Sequence, residues 1–209
     1  MIAAIVPAAG RSERMGRPKL LLPVEGLSVI ARVVGALRHG GADPVVVVAP
    51  PAVAHGAAAL ADEATRAGAL VVVPDAPPPQ MRDSVELGLD RLARGPSPPP
   101  ATVLLAPGDS LGIHAALVAR VVAEARAHPE AILLPARDGR RGHPVALPWS
   151  VAAEIHGLPA DVGINALVRR HAARVVTLDV ADPAVLDDLD TPEDYRRWVE
   201  RGLDRPEPA

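Results

Sequence analysis

The chain has 209 residues, 49% of them hydrophobic, and a net charge of −3. It contains no Cys and no Phe, one Tyr and two Trp, which excludes disulfides, thiolate metal sites and cysteine nucleophiles and leaves almost no stacking platform for single-stranded nucleic acid. There is no dense basic tract to grip a duplex, and the N-terminal apolar run meets Pro7 with no charged residue ahead of it. A soluble cytoplasmic protein of one domain, residues 1–209, is therefore expected, with no nucleic-acid or membrane partner.

In chain order, residues 2–6 read as a first strand. It runs into a glycine-punctuated loop that ends at Lys19, the only lysine in a chain whose other 21 Lys/Arg residues are arginines. Further short aliphatic runs follow at Val45-Val46-Val47-Val48, Leu70-Val71-Val72-Val73, Thr102-Val103-Leu104-Leu105 and Ala131-Ile132-Leu133-Leu134. They read as buried parallel strands, apolar on both faces. Between them, 28–39, 52–66, 82–94 and 114–128 carry Ala, Val and Leu at helical spacing with Arg and Glu opposite. Past residue 135 come a charged turn, a returning strand at 143–148, helical stretches near 149–157 and 162–171, a strand at 174–180 and a helix from 192. This alternation predicts an α/β fold, a three-layer Rossmann-like, mostly parallel sheet with helices on both faces. Ligands in such sheets bind at the carboxyl ends of the strands.

Three motifs fall at those ends. In Ala8-Ala-Gly-Arg-Ser-Glu-Arg-Met-Gly-Arg-Pro-Lys19 the small residues Ala8, Ala9 and Gly10 let main-chain N–H groups approach phosphate oxygens. Arg14 and Lys19 can neutralise triphosphate charge, lysine as a compact point charge rather than a planar fork. The loop is neither a Walker A sequence nor a dinucleotide fingerprint. Pro107-Gly108-Asp109-Ser110 sets a carboxylate beside a glycine, suited to a hard, oxygen-liganded cation; capping of the helix near 114 by Asp109 or Ser110 is the competing reading. Leu186-Asp-Asp-Leu-Asp-Thr-Pro-Glu-Asp-Tyr195 reads as a helix start with Thr191 as N-cap and Pro192 at N1, which leaves the cluster of Asp187, Asp188 and Asp190 to be explained by a cation.

Two further segments carry mixed readings. In Gln80-Met-Arg-Asp-Ser-Val-Glu-Leu-Gly88, Asp83 and Glu86 have the spacing of a capping box. In Arg137-Asp-Gly-Arg-Arg-Gly-His-Pro-Val145, three arginines and His143 form either an anion site or a solvated hairpin tip.

The run from Ala8 to Pro23, ending Lys-Leu-Leu-Leu-Pro, resembles the signature of the molybdopterin nucleotidyltransferase-like superfamily, and is most similar to its CTP:molybdopterin cytidylyltransferase branch. The resemblance implies a fold of the nucleotide-diphospho-sugar transferase type. It also implies a Mg²⁺-dependent enzyme that moves the NMP part of a nucleoside triphosphate, CTP favoured, to a phosphorylated small-molecule acceptor such as molybdopterin, releasing pyrophosphate. Under it Ala8, Ala9, Gly10, Arg11, Ser12, Lys19 and Ser84 hold the nucleotide, Arg14 and Lys19 contact its phosphates, and Asp109 and Asp190 bind the metal, with Asp188 the alternative to Asp190. Arg14, Lys19 and Asp109 are the catalytic set, and Arg140, Arg141 and His143, the last within a Gly-His-Pro segment, line the acceptor. The sequence departs from the family at Ser110-Leu111, at Gln80, Arg82 and Asp83, and at Ile164-Asn165, where an arginine of the family pattern is replaced and Arg169 or Arg170 is left to stand in. A guanylyl or sugar-phosphate nucleotidyltransferase and a non-catalytic nucleotide-binding accessory protein are the alternatives.

Overall fold

The computed structural model describes residues 1–10 and 12–203; Arg11 lies outside the described residues. Strand β1 (Ile2–Pro7) leads through the glycine loop to a small hairpin of β2 (Pro23–Val24) and β3 (Leu27–Ser28), then to helix α1 (Val29–His39). There follow β4 (Val45–Val48), α2 (Ala57–Arg66), β5 (Leu70–Val72), α3 (Met81–Ala93), β6 (Thr102–Leu105), α4 (Ala115–Ala127) and β7 (Ile132–Arg137). The last part is β8 (Arg140–Arg141), β9 (Val145–Pro148), α5 (Trp149–Ala152), α6 (Ile164–Arg170), β10 (Val175–Asp179) and α7 (Pro192–Leu203).

The main sheet runs in the order β10-β7-β9-β6-β1-β4-β5, with β8 folded back on β7. Pairs β1–β4, β1–β6, β4–β5 and β7–β10 are parallel, while β9 is antiparallel to both of its neighbours. The sheet is thus mostly parallel, as expected, with the returning strand at 145–148 wedged between β6 and β7.

Alternation along the strands divides the core in two. Ala4 and Val6 of β1 face one cluster with Val33 and Leu37 of α1, Leu60 of α2 and Val118 and Val121 of α4. Ala3 and Ile5 face the other, with Val85 and Leu89 of α3, Val151 of α5 and Leu167 of α6. A core without Phe is reached by the number of aliphatic side chains, each worth about 1.5–3 kcal/mol when fully buried.

The expected elements form, with boundaries that shift for local reasons. Helix α2 starts at Ala57, because Gly56, at its N-cap, has a left-handed φ of 78°. The stretch 149–157 is one α-helical turn continued as a 3₁₀ helix (Ala153–Gly157). Edge strand β5 is only partly covered, with Leu70 40% exposed, so it is not apolar-buried on both faces. Helix α4 begins at Ala115 and is capped by His114, whose ring accepts from the Leu117 N–H at 3.2 Å. Asp109 and Ser110 do not cap it. Nor does Asp83 start α3: the N-cap is Gln80, and Asp83, three residues on, accepts from the Gln80 N–H at 2.7 Å. No helix among the described residues is long and apolar enough to cross a membrane.

Gly88 shows how tightly α3 lies on the sheet. A Cβ there would stand 2.6 Å from Cγ2 of the fully buried Ile5 and 3.0 Å from two more of its carbons. Gly88→Ala is expected to destabilise the protein by about 1–3 kcal/mol, the usual cost of overpacking a filled core. Chemical denaturation checks this; an unchanged midpoint would mean that Ile5 yields freely.

Candidate active site

The loops after β1 and β6 and the segment before α7 meet at the carboxyl end of the sheet. The first is closed on itself by two bonds: the Met15 N–H donates to the Ser12 carbonyl at 3.0 Å, and the Lys19 N–H to Ser12 Oγ at 3.3 Å. Ser12 takes a positive φ of 52° to allow this. The second is bound to the third as a short antiparallel bridge between Ser110 and Asp188, with the Leu189 N–H donating to the Asp109 carbonyl at 3.0 Å. This contact brings Asp109 and Asp190, 81 residues apart in sequence, onto one side chain: Lys19 Nζ donates to Asp109 Oδ2 at 2.5 Å and to Asp190 Oδ1 at 3.2 Å. Arg14, largely exposed, adds a second ion pair to Asp190 Oδ1 at 3.2 Å.

These groups stand in a cleft of about 690 Å³ lined by Ala8, Ala9, Gly10, Ser12, Arg14, Lys19, Gln80, Met81, Ser84, Asp109 and Asp190, among others. The size lies within the ~300–1,000 Å³ of small-molecule sites. Its chain neighbours aside, a Cβ on Gly10 would meet no atom of the described residues within 4 Å, which leaves space over the loop for a ligand. A smaller cavity of about 340 Å³, sharing Ala8, Ala9, Gly10 and Ser12 with the cleft, is bounded also by Arg17, Pro50, Pro51, His55 and Gly56. Nothing in the sequence pattern singled out this second recess.

Asp188 and Asp190 have different surroundings. Ser110 Oγ donates to Asp188 Oδ1 at 2.8 Å, and partial burial, reinforced by the nearby Asp109 and Asp190 carboxylates, raises the Asp188 pKa. Ser110, itself 4% exposed, is therefore the partner of Asp188. His143 stands beside the same group. Burial lowers its pKa against the pull of Asp188 and Asp109, and among the described residues its Nδ1 has no hydrogen-bond partner. Arg140 and Arg141 are exposed on the β7–β8 hairpin, which rises from the carboxyl end of β7, and they line neither cavity.

The segment bearing Asp190 is anchored twice. Thr191 and Asp194 form a reciprocal cap: the Asp194 N–H donates to Thr191 Oγ1 at 3.2 Å, while Asp194 Oδ2 accepts from the Thr191 hydroxyl (2.7 Å), the Thr191 N–H (2.8 Å) and the Asp190 N–H (3.2 Å). Burial opposes the Asp194 charge, but these bonds and Arg197 outweigh it and hold its pKa below the usual carboxylate value. One turn on, the Tyr195 hydroxyl donates to the Pro23 carbonyl at 2.6 Å, and the Arg17 guanidinium lies 5.8 Å from the Tyr195 ring centre. Helix α7 thereby holds the C-terminal side of the glycine loop.

An open α/β sheet with a small-residue loop, a point cation and two carboxylates at its carboxyl edge is the architecture of a nucleotide-handling protein. A family model, the MobA-like NTP transferase domain, matches residues 4–175, and the chain belongs to that family. It is a nucleotidyltransferase-type domain; Asp190 and α7 lie beyond the matched span. Among solved structures, Rv0371c from Mycobacterium tuberculosis is 30% identical over 95% of this chain and 97% of its own, with a TM-score of 0.75. The same protein has also been solved in complex with manganese, with a TM-score of 0.72. A nucleotidyl transferase from Methanothermobacter is 26% identical over 98% of both chains, with a TM-score of 0.78. A 53-residue stretch is 49% identical to the 2-C-methyl-D-erythritol 4-phosphate cytidylyltransferase of Saccharopolyspora erythraea, spanning 24% of that curated relative.

Thr191→Ala and Asp194→Ala each remove the cap below Asp190. Each is expected to lower stability by about 1 kcal/mol, the typical worth of an N-cap. Thermal unfolding of the two single variants and the double variant checks it. If the losses simply added, the two groups would not be acting as one cap.

Proposed function

We propose that this protein transfers the NMP part of a nucleoside triphosphate, CTP favoured, to a phosphorylated small-molecule acceptor such as molybdopterin, and that it does so as a single domain. The observation that carries the reading is the Lys19 ammonium held between Asp109 and Asp190 at the open face of the glycine loop. The cytidylyltransferase stretch supports CTP, and the family supports a phosphorylated acceptor.

In this reaction an oxygen of the acceptor phosphate attacks the α-phosphorus of the NTP, the bond to the β-phosphate bridge oxygen breaks, and pyrophosphate leaves with both bonding electrons. The nucleophile is already an anion, so no Ser/His/Asp arrangement is required. What the protein supplies is alignment and compensation of charge. The loop residues Ala8, Ala9, Gly10 and Ser12, with Ser84 on the opposite wall, hold the nucleotide. Arg14 and Lys19 meet the charge that grows on the departing pyrophosphate. His143, beside Asp188, and the hairpin arginines Arg140 and Arg141, exposed outside the cleft, are assigned to the acceptor.

The donor set suits Mg²⁺. Asp109 and Asp190 present hard oxygens to one cation, and among the described residues no cluster of three or more His, Cys, Asp or Glu forms a protein-only cage. Mg²⁺ takes one or two carboxylates and fills its shell with phosphate oxygens and water. Asp190 is preferred to Asp188 as the second ligand, a choice supported by the Ser110 bond to Asp188. When bound, the metal would draw charge from the phosphate oxygens.

Pyrophosphate release measured across four NTPs with phosphorylated acceptors tests the reading. Activity should be highest with CTP and vanish with EDTA. Asp109→Asn should be the more severe variant and Asp190→Asn the one partly rescued by raised Mg²⁺; undiminished turnover in Asp190→Asn would remove it from the metal site. At the acceptor end, losing an engaged charge-assisted phosphate contact costs about 1.5–3 kcal/mol, roughly a ten- to hundredfold rise in acceptor KM. At least one of His143→Ala, Arg140→Ala and Arg141→Ala should show that rise with nucleotide KM unchanged. Changes of less than a few-fold in all three would leave the hairpin a solvated turn.

A further inference from the structure

Arg82 is the one charged residue buried among the described residues, at 9% exposure. It occupies the second position of α3, where a cation opposes the positive end of the helix dipole. Its location therefore needs compensation from elsewhere, and the compensation is specific. Nη1 donates to the carbonyls of Leu158 (3.2 Å), Pro159 and Val162 (3.3 Å), Nη2 donates to Asp83 Oδ1 at 3.3 Å, and Nε stands 3.3 Å from Glu86 Oε1. Two residues earlier, Gln80 Nε2 donates to the carbonyl of Ala160 at 3.0 Å. Two side chains of one helical turn thus gather four carbonyls from a segment some 80 residues away.

That turn also faces the ligand. Gln80, Met81 and Ser84 line the large cleft opposite Ala8, Ala9 and Gly10, whereas none of residues 158–162 lines either cavity. We propose that Gln80 and Arg82 are positioning residues for the nucleotide: by locking residues 158–162 against the first turn of α3 they fix the cleft wall that Gln80, Met81 and Ser84 form. The proposal rests on the nucleotidyltransferase reading. It gives the 158–162 segment, which leads directly into α6, a hold on nucleotide affinity without any contact to the nucleotide. A lysine at 82 would keep the charge but lose the planar fork that spans carbonyls and carboxylates together.

The test uses the full-length protein and three variants, Arg82→Lys, Gln80→Met and Pro159→Gly. The last loosens the gathered segment without touching the cleft. Pyrophosphate release gives KM and kcat for CTP, calorimetry gives CTP binding with Mg²⁺ present, and thermal unfolding confirms that each variant is folded. CTP KM should rise about tenfold in Arg82→Lys and about fivefold in Gln80→Met and Pro159→Gly, with kcat within about twofold of wild type. Should Arg82→Lys fold poorly, the other two carry the comparison, since Gln80 and Pro159 are both exposed. A folded Pro159→Gly variant with wild-type KM overturns the positioning role, even if Gln80→Met is impaired, because Gln80 would then act by direct contact. A wild-type protein that turns over no NTP overturns the reading beneath the proposal instead.

Discussion

One ammonium group joins three parts of this fold that lie far apart in sequence. Lys19 belongs to the loop after β1, Asp109 to the loop after β6, and Asp190 to the segment before α7; Lys19 Nζ reaches both carboxylates. Without a cation between them, two carboxylates converging on one point would repel each other. The surrounding structure is arranged to keep them there. The bridge between Ser110 and Asp188 aligns the two acidic segments, the Thr191–Asp194 cap sets the main chain at Asp190, and Tyr195 ties α7 back to Pro23 at the far end of the lysine loop.

The same arrangement sorts four acidic residues into different tasks by environment. Asp109 and Asp190 face cations. Asp188, partly shielded and bonded to Ser110, has a raised pKa and helps fix the bridge. Asp194, surrounded by donors, is held ionised beneath the helix start. Such separation of neighbouring carboxylates by surroundings is common where charge must be handled. His143 stands beside this group, with burial lowering its pKa against the pull of Asp188 and Asp109.

Much of this was legible in the sequence because it is written in local patterns. Four-residue aliphatic runs between amphipathic segments announce a layered α/β sheet, and the lone lysine after a small-residue turn marks the loop that brings a cation to the two carboxylates. Thr191-Pro192 declares its helix start outright. What was not legible depends on partners distant in the chain. Ser110 departs from the family pattern, and its role follows only from Asp188, 78 residues on, which accepts its hydroxyl hydrogen bond. Asp83 and Glu86 had the spacing of a capping box, yet Gln80 caps the helix and both acids sit beside the Arg82 guanidinium. The wedging of β9 between β6 and β7 likewise follows from where the β7–β8 hairpin turns, which no periodicity reports.

The central claim is that a point positive charge at position 19, rather than any cation, organises the carboxylates and, in the proposed reaction, the phosphates. The chain contains no cysteine, so Lys19→Cys introduces a single thiol that 2-bromoethylamine converts to an aminoethyl side chain of nearly lysine length. Pyrophosphate release should be almost abolished in Lys19→Cys, return in large part after stoichiometric alkylation, and stay low in Lys19→Arg, whose planar fork cannot sit as a point among several oxygens. Full activity in Lys19→Arg, or no recovery after complete alkylation of a folded Lys19→Cys protein, would contradict it.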